Sequence, residues 1–104
     1  MRFSKLLKVK EGKLDRVKEW MDTLGGARRQ EAIDTFDYED VTREVFTLFK
    51  GHDGNYYVIG LNEVGVNPRP SDKSVKINQE HSAFKSECLE PISENGEVLL
   101  DLSK

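Results

Sequence analysis

"REVFTLFKGHDGNYYVIGLNEV", Arg43 to Val64, decides the fold. Two runs rich in β-branched and aromatic residues, Arg43–Phe49 and Tyr56–Val64, flank a polar connection in which Asp53-Gly54 supplies residues that tolerate positive φ. That combination reads as a β-hairpin. Val45 and Phe49 alternate with Phe46 and Leu48, and Tyr56 and Val58 alternate with Tyr57, Ile59 and Leu61. A sheet with one solvated face should be polar on that face. Here both faces of the hairpin are apolar, and both need cover.

Working outward, Phe3, Leu7 and Val9 fall on one face of a strand over residues 2–10, with Lys8 and Lys10 on the other, and Gly12 ends it. Leu14, Val17, Trp20, Met21 and Leu24 recur at three- and four-residue steps, the stripe of an amphipathic helix. Gly25-Gly26 stops or kinks that helix, and Ala32, Ile33 and Phe36 continue the stripe beyond it. The second piece carries Arg28 and Arg29 near its start and "DYED" near its end, against the helix dipole, so it must rely on packing. Beyond the hairpin, "VGVNPRPSDKS" (64–74) is a loop, since Pro68 and Pro70 cannot donate backbone hydrogen bonds. "INQEHSAFKSECLE" (77–90) is a second main helix closed by Pro91, and "EVLLDL" (97–102) reads as a last strand. The order β-α-β-β-α-β over residues 1–104 is that of a single ferredoxin-like α+β domain, a four-stranded antiparallel sheet with helices on one face. The economical cover for the other face is a second copy, a sheet-to-sheet homodimer.

Composition agrees with a compact chain and excludes several functions. With 104 residues there is room for one core, and 37% hydrophobic against 34% charged residues makes that core modest under an ionised surface. The net charge of −3 and the lack of basic runs interleaved with aromatics argue against nucleic acid as a partner. One cysteine cannot form an intramolecular disulfide, and no apolar stretch approaches the ~20 residues that span a bilayer. The N-terminus lacks the apolar core of a signal peptide, so the expected location is the cytoplasm, with no membrane contact. No zinc motif, phosphate-cradling glycine loop or serine elbow is present, and neither a metal nor a cofactor is expected.

The chemistry-bearing residues concentrate in the 77–90 helix. Ile77, His81, Phe84 and Cys88 share one helical face, but His81 and Cys88 are two turns apart, roughly 10 Å of rise. A Cys–His nucleophile pair or a shared metal needs far closer approach, so Cys88 is a small core residue. A buried histidine needs hydrogen-bond partners, and the best-placed candidate is Glu44, early in the first hairpin strand. If its face, shared with Phe46 and Leu48, points at the helices, Glu44 would meet His81 and raise the imidazole pKa for acid/base work. If it points away, Glu44 is an interface residue. His52 belongs to the turn, and paired Arg28 and Arg29 form a solvated face or an anion site. Trp20 and Tyr57 are the aromatic candidates for a pocket wall.

"WMDTL…RRQEAIDTFDYEDVTREVF" and "SVKINQEHSAFKSECLE", with "YYVIGLNE" between them, resemble a prokaryotic family of small domains of unknown function. The matching pattern falls on Trp20, Glu31, Thr35, Glu39, Glu44, Phe46, His81, Phe84 and Cys88. That family is similar to the dimeric α/β-barrel superfamily of ferredoxin-like proteins, which implies the same homodimer. The superfamily includes monooxygenases, small isomerases, mutarotases and haem enzymes beside members with no catalysis, so no single activity follows. The 64–74 loop departs from the more helical connection the resemblance implies. The expectation is a small-molecule pocket between sheet and helices, lined by Trp20, Tyr57, Glu44 and His81. Cofactor-independent proton transfer such as isomerisation would use His81 as acid/base and Glu44 to orient it. The competing class is a non-catalytic dimerisation or ligand-sensing module.

Overall fold

A computed structural model describes residues 1–104. The elements run β1 (Arg2–Val9), α1 (Leu14–Gly25), α2 (Arg29–Ile33), α3 (Phe36–Glu39), β2 (Val41–Lys50), β3 (Tyr56–Val64), α4 (Lys76–Cys88) and β4 (Leu89–Pro91). The strands form one antiparallel sheet in the order β2-β3-β1-β4, the ferredoxin-like arrangement expected from the sequence. Gly54 takes φ +86 in the hairpin turn, where only a residue without Cβ does so without strain.

The register assigns every strand residue to a face. Leu7 is opposite Val58 and Val58 opposite Leu48, so these three share the face on which α1 and α4 pack. Leu7, Val9, Val17, Trp20, Val58, Ile77, Phe84, Cys88 and Leu89 form the core there, and Phe84 and Cys88 are almost fully enclosed. Cys88 is thus the core residue its position on the helix stripe implies. Glu44 and Phe46 lie on this same helix-covered face, four and two residues before Leu48. Leu6, Val45, Phe49, Ile59 and Leu61 lie on the opposite face, which nothing in the chain covers; Phe49 remains 48% and Ile59 38% exposed.

The helical segment after Gly26 is two short pieces, α2 and α3, and its inverted charges are resolved by tertiary partners. Arg28 grips Glu31 of α2 and Glu80 of α4, with four N–O distances of 2.7 to 3.0 Å. The guanidinium fork satisfies both carboxylates at once. An α4 residue therefore anchors the start of α2.

The last strand is displaced from its expected place. It is Leu89–Pro91, not residues 97–102, and α4 ends at Cys88. Pro91 disfavours helical backbone at Glu90, and Leu89, extended at φ −126 and ψ 144, fills a core position only 3% exposed. The chain then follows the outer edge of β1: Ile92 N–H donates to Leu6 O, Gly96 N–H to Ser4 O, and Leu6 N–H to Ser93 Oγ. Residues 97–102, read as a strand from the sequence, form no strand, although Asp101 still lies 3.6 Å from Arg2 of β1.

Candidate functional site

The helices leave part of their sheet face uncovered, near the start of β2 and the end of β3, and a cleft of about 980 Å³ opens there. Its floor is sheet, with Glu44, Phe46 and Asn62; one wall is α4, with His81 and Lys85; the other is α3 and the 66–73 loop. α3 ends where Asp40 adopts φ 55, a left-handed turn that throws the chain into β2 with Glu39 at the cleft. The Asp40 carboxylate accepts a bond from Asn67 N–H at 2.8 Å, and Arg69 donates to Tyr38 O at 2.7 Å while stacking on the Tyr38 ring. These contacts fasten the proline-containing loop to α3 as the outer wall. A Cβ at Gly65 would run into the Asp40 carboxylate, so a larger residue there would push that side chain out of its bond to Asn67.

His81 is fixed from behind by aromatic rings. Trp20 Nε1 donates to His81 Nδ1 at 2.8 Å. Phe46 meets the imidazole edge-on at 6.0 Å, and Phe84 stacks on it at 5.8 Å. Phe46 can lie there because its cross-strand partner is Gly60, whose absent Cβ would sit 2.9 Å from the Phe46 ring. An indole N–H can only donate, so Nδ1 is the bare acceptor and the neutral ring carries its proton on Nε2. Nε2 has no protein partner, is not sealed from solvent, and belongs to a side chain lining the cleft. Burial, helped by the Lys85 ammonium, pushes the imidazole pKa down to about 4. His81 is therefore a neutral N–H donor. The expectation that a carboxylate would lift its pKa is corrected: Glu44 shares the cleft but makes no hydrogen bond to it, and the ring's partner is the uncharged Trp20.

The carboxylates behave in the opposite way. Burial, then repulsion by Glu39, raises the Glu44 pKa against the opposing pull of Lys85. Burial also raises Glu39, offset in part by the Thr35 hydroxyl and Lys85. With its amide nitrogen turned to Leu61 O and Glu44 Oε2, at 3.2 and 3.3 Å, Asn62 orients the Glu44 carboxyl. Lys85 makes no ion pair within 4.0 Å. Burial thus makes ionisation of both cleft carboxyls less favourable than in open solvent.

Of the four residues expected at the pocket, Glu44 and His81 are brought together. Trp20 lies behind His81 rather than on the cleft surface. Tyr57 is misplaced by that reading: it lies on the uncovered sheet face opposite Lys8 and Phe49, with its hydroxyl bonded to Asp53 in the hairpin turn. Odd and even positions of a strand face opposite sides, so Val58 in the core forces Tyr57 outward. Glu39 and Lys85 were missed as site residues, although Glu39 belongs to the resemblance pattern. Arg28 is occupied by Glu31 and Glu80, so the anion site there is closed. No group of three or more His, Cys, Asp or Glu side chains could hold a metal ion.

A family described as a family of unknown function (DUF6176) matches residues 3–104. The chain belongs to that family. No curated protein matches it. Among solved structures, the crystal structure of an L-rhamnose mutarotase from Formosa agariphila is similar, with TM-score 0.61 over 99% of each chain at 16% identity. At that identity the likeness concerns the fold, which it supports over the whole chain. No helix is long and apolar enough to cross a membrane.

Proposed function

We propose that this family member is a cytoplasmic homodimer that catalyses cofactor-independent proton transfer on a small hydroxylated molecule, such as interconversion of sugar anomers. The observation that carries the reading is the convergence of Glu44, Glu39 and the His81 Nε2–H on one cleft, with both carboxyl pKa values raised. One carboxyl, protonated, gives its proton to the ring oxygen of a cyclic hemiacetal as the C–O bond breaks. The other, ionised, accepts the proton of the anomeric hydroxyl, leaving an open-chain aldehyde. Reclosure on the opposite carbonyl face reverses both transfers, and no electrons enter or leave. The His81 Nε2–H steadies the carbonyl oxygen by hydrogen bonding. Relative to the sequence expectation, Glu44 and His81 exchange roles: the carboxylate moves the proton and the imidazole orients. The similar mutarotase favours this chemistry among the isomerisations the cleft could host. The uncovered apolar sheet face supports the dimer.

Saturation-transfer NMR over a panel of aldoses tests the proposal. The expected result is faster anomer exchange for at least one sugar, abolished by Glu44→Gln. If no sugar exchanges faster and none shifts the resonances of His81 or its neighbours, the proposal fails and the non-catalytic module replaces it.

A further inference from the structure

A second cavity, of about 430 Å³, adjoins the cleft on the helical side of the sheet, and Phe3, Phe46, Asn62 and Lys85 line both. The strand register places it. Lys5 has the parity of Leu7 and Val9, so it lies on the face against which α1 and α4 pack. Gly60 pairs with Lys5 on one side and Phe46 on the other, and the Phe46 ring leans into the space that the missing side chain leaves. Phe46 thus divides the two cavities.

The charges around this side cavity are of one sign. Lys5 and Lys85 border it, and no Asp or Glu does. The chain has 19 acidic residues against 16 lysines and arginines, so two lysines without an acid run against its composition. Neither ammonium forms an ion pair with a carboxylate. Like charges that face one cavity repel, and an anion between them relieves that cost. We propose that the substrate of the cleft is itself anionic, an aldose bearing a carboxylate or a phosphate, with that group seated between Lys5 and Lys85 while the hemiacetal lies at Glu44, Glu39 and His81. A lysine ammonium is a compact point charge on a flexible stem, which suits either oxyanion. That substrate class rests on the proton transfer proposed above; the anion subsite itself does not.

Strand spacings set the scale. Lys5 is two strands across and two residues along from Glu44, about 12 Å between backbone positions. An aldose charged at the end opposite its anomeric carbon fits that separation, and the lysine stems close what remains. The separation also exceeds the ~8 Å Debye length of physiological salt, so Glu44 repels an anion at Lys5 weakly, whereas direct contact with an ammonium is little screened. The other cations of the cleft are worse placed. Arg69 is bonded to Tyr38 O and stacked on the Tyr38 ring, and Lys73 stands on the outer wall.

NMR titration of the full chain with glucose, galactose and mannose, each beside its uronate and its 6-phosphate, tests the subsite. At least one charged sugar should bind ~10-fold or more tightly than its neutral parent and shift the amides of Lys5 and Asn95 together with those of Glu44 and His81. Lys5→Met should reduce that preference at least ~5-fold, and Lys5 is exposed, so the fold should hold by circular dichroism. Lys8→Met, which removes the same charge from the opposite face of β1, should leave the preference unchanged. Tighter binding of the phosphates or of the uronates identifies the anion. Charged sugars that bind no tighter than neutral ones overturn the subsite, as does an equal loss in Lys5→Met and Lys8→Met, or a loss in Lys73→Met alone. Charged sugars that bind through Lys5 without faster anomer exchange uphold the subsite and overturn the proton transfer instead.

Discussion

Two pairs of carboxylates lie on the helical side of this molecule and titrate in opposite directions. Glu31 and Glu80 share the Arg28 guanidinium, whose hydrogen bonds hold both below the usual carboxylate range. Glu39 and Glu44 have no guanidinium, and burial pushes both up. The first pair ties α2 to α4 and is built to remain charged. The second, beside a neutral histidine N–H, is pushed up by burial in a cleft with room for a ligand. A carboxylate held for structure meets its counter-ion in the fold, whereas one held for proton transfer is left without it.

The sharpest way to break this contrast is to remove one acid from each pair. Glu44→Gln should cut any anomer exchange by about 10² to 10⁴-fold, the usual share of general acid–base catalysis. Glu31→Gln should leave that rate within about two-fold, since Glu31 does not face the cleft. Glu44→Gln should also raise the thermal midpoint at pH 7, because it removes a carboxylate whose ionisation the fold opposes. A rate loss equal in both variants would erase the division of labour.

How much of this was legible in the sequence follows from which interactions are local. The hairpin, the amphipathic α1 stripe and the core stripe of α4 depend on residues within a turn or a strand of one another, and periodicity reports them. The strand phase already tied Glu44 to Phe46 and Leu48; only the packing of α1 and α4 decided which way that face points. Tyr57 went astray for the same reason, since both neighbours in Tyr57-Val58 are apolar and either could have faced the core. Glu39 lay hidden in "DYED", which reads as a badly charged helix end until Asp40 reverses the backbone. Trp20 and His81 are 61 residues apart, and nothing in local pattern announces their hydrogen bond. The strand pattern of 97–102 is plain in the sequence, but Leu89–Pro91, directly after α4, takes the edge beside β1 instead.

The pH dependence of stability puts the two kinds of group into competition. His81 titrates near 6.5 when unfolded and about 4 when folded, so between those values the unfolded chain binds the extra proton. Its contribution is complete above pH 6.5, falls as the pH drops towards 4, and amounts to about 3 kcal/mol at most. Glu39 and Glu44 have the opposite sign: their raised folded pKa values favour the fold as acid is added. Chemical denaturation from pH 7 to pH 4 should therefore show a steeper loss in a Glu39→Gln/Glu44→Gln variant than in the parent. An identical slope would mean that burial does not set these carboxyls as described.

Trp20→Phe is a smaller, cleaner perturbation. It deletes the N–H donor to His81 Nδ1 and keeps most of the ring that packs on Phe84. The cost in stability should be about 1 kcal/mol, the net worth of one hydrogen bond. More informative is the imidazole itself. In the parent, protonating Nδ1 means setting two N–H groups against each other; in the variant that conflict is gone, and the His81 pKa should rise from about 4. An NMR titration of the His81 ring reads this directly, with His52 in the exposed turn as the internal comparison. If the His81 pKa does not move, desolvation alone sets it and the tautomer argument falls.

The smallest expected effect concerns the structural pair. Arg28→Gln leaves Glu31 and Glu80 facing one another without a cation, and the contact between α2 and α4 should loosen. All three groups are at least partly open to solvent, so screening limits the loss. The thermal midpoint should fall modestly at low ionic strength, and the gap to the parent should narrow in 1 M salt, where like-charge repulsion is damped. Cleft chemistry should change far less than in Glu44→Gln, because Arg28 reaches His81 only through the Trp20 ring over which it lies at 5.7 Å. If instead Arg28→Gln removed activity while barely changing stability, the guanidinium would belong to the cleft after all, and the two carboxylate pairs would be one extended site.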